Sequence, residues 1–230
     1  MRKTNHFWMT LSILILLLFG SIRVNAQTIF QSVPDKIDST QKFLFYLHGK
    51  IIEDQGIHAV SEKFGAYEYE NILKALANEG FVVVSEARPK DTIPRDYAKK
   101  LFSQIHELMN KNVPPKNITV VGASKGAGIT VLISHLLKNK GVNFVIMAIC
   151  NEQMLKSWEK DDIVLRGNVL SIYDEKDDLA GSCSKYFDFC QGRGLKNYKE
   201  IKLKIGTGHG ILYKPLKEWI QPIVEWSQTD

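Results

Sequence analysis

Ser124 stands between two glycines in Gly122-Ala123-Ser124-Lys125-Gly126, and that spacing is the first sign of chemistry in the chain. The apolar, β-branched run Ile118–Val121 precedes it, which predicts a strand. Val131, Leu132, His135 and Leu136 follow at helical spacing. A strand that turns sharply into a helix around a serine forces that residue into a strained backbone conformation, with φ above zero. Such a turn needs neighbours without bulk, which gives Gly122 and Gly126 a steric role. The serine hydroxyl then stands clear of the sheet edge. The first amides of the helix point at the place where negative charge would develop.

A serine needs a base, and a base needs an orienting acid. His209 lies between glycines in Gly208-His209-Gly210, just after the apolar-alternating run Glu200–Lys204. An acidic turn, Asp174-Glu175-Lys176-Asp177-Asp178, follows the run Val169–Tyr173. Asp174, Asp177 and Asp178 are the candidate acids. His209 would take the serine proton and return it to the leaving group. The acid would hold the imidazole tautomer. Backbone N–H groups of Lys125 and of Lys50, which follows His48-Gly49, would receive the oxyanion. His48 itself reads as a brace for that loop. His106 and His135 lie on helices and read as structural.

The elements that must carry these residues are legible as a series. Strands are expected at Phe43–Leu47, Phe81–Ser85, Ile118–Val121, Phe144–Ile149, Val169–Tyr173 and Glu200–Lys204, with room for an edge strand in residues 27–41. Helices are expected over about 66–78, 95–111, after the serine turn, near 154–158, near 185–191, and over about 216–226. Residues 53–65 read as polar and irregular. Strands that alternate with helices and are apolar throughout predict a mostly parallel sheet of six to seven strands covered on both faces. In such a sheet functional residues gather at the carboxyl ends of the strands.

Serine, acid and histidine in this chain order, on a fold of this type, resemble the α/β-hydrolase family over nearly the whole chain after residue 26. The motifs that carry the resemblance are LHGK (47–50), VVGASKG (120–126), SIYDEKDD (171–178) and GTGHG (206–210). The resemblance implies an α/β-hydrolase domain over residues 27–230 that cleaves an ester or related acyl bond with no cofactor and no metal. It also implies that Asp177, three residues beyond the break of its strand at Asp174, is the acid, with Asp178 and Asp174 as alternatives. The Gly-rich turn is similar as well to the dinucleotide turn of short-chain dehydrogenases. There the turn follows the first strand, however, and here at least two strand–helix units precede it. A non-catalytic binding protein on the same fold is the other alternative.

Between the Cys150 strand and the acid-bearing strand only residues 151–167 intervene, too few for a lid domain. An open site is therefore expected, able to admit a small-molecule or polymer-attached acyl substrate. Arg88, Glu152 and His58 sit in strand-end or neighbouring loops and are candidates to line it. With Lys50 and Lys125, Arg88 makes three cations against Glu152, which hints at an anionic or polar acyl group.

With 230 residues, 44% of them apolar, the chain is long enough for one sizeable core. Residues 1–26 read as a secretory signal: Arg2 and Lys3, a short apolar run at Leu11–Phe19, and a small residue at Ala26. Export to the periplasm or the extracellular space follows, with no membrane span left after cleavage. Loss of Arg2, Lys3 and Arg23 lowers the formal charge from +5 by three, to +2, which gives no support to nucleic-acid binding. Three cysteines remain. Cys183 and Cys190 are the expected disulfide pair, and Cys150 reads as a buried thiol.

Overall fold

The computed structural model describes residues 28–228. The signal-like stretch expected at 1–26 lies outside them. The chain runs β1 (Ile29–Phe30), β2 (Lys42–Leu47), α1 (Lys50–Gln55), β3 (Val60–Ser61), β4 (Gly65–Ala66), α2 (Tyr69–Asn78), β5 (Phe81–Val84) and α3 (Pro94–Asn110). It continues with β6 (Ile118–Ala123), α4 (Lys125–Leu137), β7 (Asn143–Met147), α5 (Glu152–Lys160), β8 (Gly167–Asp174), α6 (Ser184–Cys190), β9 (Leu195–Leu203) and α7 (Lys217–Trp226). A 3₁₀ segment, Gly208–Tyr213, carries His209.

Seven strands form one sheet in the order β1-β5-β2-β6-β7-β8-β9, and every pairing is parallel. Alternate side chains of one strand enter different cores. Phe43, Phe45 and Leu47 pack towards α3, α4, α5 and α6. Leu44 and Tyr46 pack towards α1, α2 and α7. Both faces are therefore covered, which is why the central strands are apolar without interruption. The edge strand β9 is the exception: most of its residues are half-buried or exposed, and Lys and Glu are tolerated along it.

The chain leaves β2 over one face and returns to β5, while β6 sends α4 over the other face to β7. The neighbours β2 and β6 are thus a topological switch point, where connections diverge and a crevice opens at the carboxyl ends. Residues 53–65 are more ordered than the sequence suggests. The start of that segment belongs to α1, and β3 and β4 pair as a small antiparallel hairpin.

The cysteine pairing differs from expectation. Cys150 and Cys183 form the disulfide, with Cα atoms 5.3 Å apart, and Cys190 is a buried free thiol. Cys183 and Cys190 bracket α6 at its two ends. Seven residues of helix separate Cα atoms by about 10 Å, beyond disulfide reach. The Cys150 side chain, just past β7, meets the loop that leads into α6 instead.

Candidate active site

Ser124 sits between β6 and α4 with φ 51° and ψ −117°, a backbone conformation that a residue bearing a side chain seldom adopts. Its own N–H donates to Met147 O at 3.0 Å and pins the turn to the next strand. The flanking glycines make it sterically possible. A Cβ on Gly126 would lie 2.0 Å from Leu47 O, and one on Gly122 would lie 2.4 Å from Gly126 O. Strand β2, helix α4 and the serine turn thus touch backbone to backbone.

Lys125 is the first residue of α4 and Lys50 the first of α1. The N–H at such a position has no acceptor within its own helix. The two helix starts are adjacent: a Cβ on Gly49 would stand 3.8 Å from Ser124 Cβ. The arrangement supplies two free donors beside the serine at the switch point.

A buried ionic clasp fixes these two starts. Glu53 of α1, with its side chain 1% exposed, accepts from Arg88 Nε at 2.7 Å and from Lys125 Nζ. Lys125 Nζ also donates to Thr92 O at 2.8 Å. Arg88 Nη2 donates to His48 O, and the Arg88 N–H donates to His48 Nε2 at 2.9 Å. With Nε2 accepting, Nδ1 carries the hydrogen and donates to Gly49 O at 2.8 Å. Burial, with the Arg88 charge added, pushes His48 from 6.5 down to about 3, so it stays neutral.

Arg88 is therefore not at the rim of the site. Its guanidinium is buried against Glu53, because a cation below the loop is tolerated only when paired. The hint of an anionic acyl group falls with it. Lys125 is bound to Glu53, and Lys50 is paired with Asp54 at 2.6 Å. Glu152 is exposed at the start of α5 and paired with Lys156. His58 is exposed and borders a shallow depression near Tyr67 and Glu68, apart from Ser124.

On the other side of the crevice His209 Nδ1 lies 2.9 Å from Asp177 Oδ2, and the Asp177 side chain is fully buried. Asp177 Oδ1 accepts from the N–H groups of Leu179 and Ala180, which sets the carboxylate plane. A carboxylate oxygen accepts, so Nδ1 carries the hydrogen and Nε2 is left with a lone pair. Asp178 points outward to Lys63 at 2.9 Å, and that bond lowers its pKa. Asp174 accepts from the N–H groups of Lys176, Ile205, Gly206 and Gly208. Burial raises its pKa, and these four donations together outweigh burial and hold it below the ordinary value. Asp174 ties the loop after β8 to the loop after β9.

His209 and Ser124 are not hydrogen-bonded among the described residues. A series of ring contacts runs from His209 to the Gly49 turn. Phe64 lies 6.3 Å from the His209 ring and 5.2 Å from Tyr213, and Tyr213 lies 5.0 Å from Tyr67, centroid to centroid. Tyr67 in turn borders Gly49. These rings and Glu53 escaped the sequence reading. Phe64 stands in the hairpin segment that looked irregular, Tyr67 lies just past β4 where a helix was expected to begin, and nothing local marks Glu53 as buried. No group of His, Cys, Asp and Glu side chains among the described residues could hold a metal ion.

No family model and no curated protein matches the sequence. Solved structures do. Fungal esterases from Rhizomucor miehei superpose with TM-score 0.56 at 16% identity, covering 86% of this chain and 77% of theirs. An esterase/lipase from an uncultured bacterium gives TM-score 0.54 at 12% identity over 82% of this chain and 75% of its own. A predicted CIB-like hydrolase from Thermoplasma acidophilum gives 0.52 at 14% identity, with 83% and 87% covered. The chain has the α/β-hydrolase fold.

Proposed function

We propose that this chain is an exported serine hydrolase that cleaves a carboxylic ester, or a related acyl bond, through a covalent acyl-enzyme on Ser124. The observation that carries the reading is the strained serine at the switch point, held at φ 51° beside two helix starts. Such strain is kept only where surrounding structure enforces it, and it clusters at working sites.

His209 Nε2 accepts the Ser124 proton as Oγ bonds to the acyl carbon. The carbonyl oxygen becomes an anion and is met by the N–H groups of Lys50 and Lys125. The tetrahedral species collapses, the C–O bond to the alcohol breaks, and the imidazolium returns its proton to the departing oxygen. Water then enters by the same route, loses a proton to His209, and releases the acid and free Ser124. Asp177 holds the imidazole orientation and stabilises its charged form. The Ser124–His209 hydrogen bond forms as substrate binds, since catalytic hydrogen bonds tighten in the Michaelis complex.

Export is supported by the composition of residues 1–26 and by the Cys150–Cys183 disulfide, which suits an oxidising compartment. The connection that carries α5 is too short for a lid domain, so the site stays open to esters of bulky or polymer-attached alcohols.

Turnover of a soluble ester by wild type and variants tests the reading. Ser124→Ala and His209→Gln lower kcat by about 10⁴- to 10⁶-fold, and Asp177→Asn by about 10⁴-fold. Asp178→Asn stays within about twofold, because its carboxylate points to solvent. Full activity in Ser124→Ala would refute the assignment. No turnover by folded wild type on any acyl donor would favour a binding protein on the same fold.

A further inference from the structure

Ser124, Gly128 and Leu132 recur every four residues along α4 and line one groove of about 610 Å³. Helical residues at that spacing share a face. The groove is walled by Ile93, Ile149, Met154, Trp158 and Ile163, from the start of α3 and from the segment around α5. Ile93 is 61% exposed at its edge, a large apolar side chain left in solvent. The charged side chains that line the groove are already matched. Lys50 is paired with Asp54, Lys125 with Glu53, and Arg95 with Asp161 at 2.7 Å. No unpaired charge is left there to receive an ionic group, while apolar surface is abundant.

His209 belongs to the opposite side. It stands with Asp177 and Phe64 and does not line the groove. The leaving alcohol must depart on the side of the proton donor, so the acyl chain must extend the other way. On the serine hydrolase reading proposed above, that direction is along α4. From Ser124 to Leu132 the helix rises about 12 Å. An extended chain advances about 1.2 Å per bond, so the groove accommodates about eight to ten carbons.

We infer that the groove is an acyl subsite for an unbranched, medium-length, uncharged acyl chain, and that Gly128 and Leu132 set the chain length. Gly128 leaves the groove open next to the nucleophile: a Cβ there would meet nothing nearer than Ile149 Cδ1 at 3.9 Å. A larger side chain at that position fills the groove without moving the backbone.

The test uses the full chain and p-nitrophenyl acetate, butyrate, octanoate and palmitate, with fluorophosphonate labelling to count functional sites. Each methylene buried in such a groove raises kcat/KM about fourfold, and partial exposure reduces this. Octanoate is expected to exceed acetate by at least about tenfold, and palmitate to fall below octanoate. Gly128→Phe is expected to lower the octanoate-to-acetate ratio by at least about tenfold and to move the optimum to butyrate or shorter, and Leu132→Trp, one turn farther, to lower the octanoate-to-butyrate ratio. A labelled wild type that prefers acetate overturns the inference and leaves the hydrolase reading standing. So does an unchanged ratio in both labelled variants. If a variant takes no label because it fails to fold, the wild-type series and the other variant decide. A wild type that is unlabelled and inert on all four esters removes the hydrolase reading and the subsite with it.

Discussion

The buried histidine beneath the Gly49–Lys50 turn makes the folded state sensitive to acid. His48 is fully buried, accepts the Arg88 N–H on Nε2 and faces the Arg88 guanidinium. A proton added at Nε2 would break that bond and set two cations together without water. Burial first, then the Arg88 charge, lowers its pKa from 6.5 to about 3. In the unfolded chain the ordinary value applies. Between these two values the unfolded chain binds a proton that the folded chain refuses, so stability rises with pH across the window and is lost as pH falls. Each unit costs about 1.4 kcal/mol. Two units of that window lie between about pH 7 and about pH 4.5, a loss of about 2.7 kcal/mol from this one group. Carboxylates titrate in the same range, so the measurement must be a difference. Urea unfolding of wild type and His48→Gln, at matched pH values, isolates the histidine. Wild type is expected to be the more stable at neutral pH, and its advantage should shrink by about 2.7 kcal/mol at the acid end. An advantage that stays constant across the range would refute the buried neutral imidazole. One that grows in acid would mean that the imidazole is stabilised as a cation.

Two further perturbations probe the supports of the site. Glu53→Gln leaves Arg88 and Lys125 without their shared carboxylate and is expected to cost about 3–5 kcal/mol in urea unfolding, while Asp54→Asn, on the exposed side of α1, costs less than about 1 kcal/mol. Equal effects would show that the clasp carries no weight. Cys183→Ser opens a disulfide that spans 33 residues, and chain entropy predicts a loss of about 3–4 kcal/mol. Dithiothreitol should produce the same shift in wild type and none in the variant, and a shift in both would point to another cause.

The sheet was legible because its central strands are buried on both faces, and continuous runs such as Phe81–Val84 have no other use in a chain of this composition. The start of β9 was not legible. Leu195–Lys199 lies at a sheet edge, where Lys196 and Lys199 remain in solvent, so no apolar run announces it. Helix α1 was missed because only Ile52 and Glu53 among its residues are buried, and one apolar position sets no period. The serine turn was legible from its glycines, since their absent side chains are demanded by contacts with Leu47 and Thr130. The role of Arg88 was not. Its partner Glu53 is 35 residues away, and a loop arginine looks the same in sequence whether it meets solvent or a buried carboxylate. The cysteine pairing failed for a related reason. Cys150 ends an apolar run and read as a buried thiol, which left Cys183 with Cys190, but α6 holds those two apart while the fold brings Cys150 across from β7.

The proposed chemistry rests on the Ser124 hydroxyl acting as a nucleophile. Peptide mapping by mass spectrometry after treatment with a fluorophosphonate tests it directly. One phosphonate per chain is expected, on the peptide that contains Ser124, with labelling slowed greatly in His209→Gln. An adduct on a different serine, or labelling at the same rate in Ser124→Ala, would contradict it.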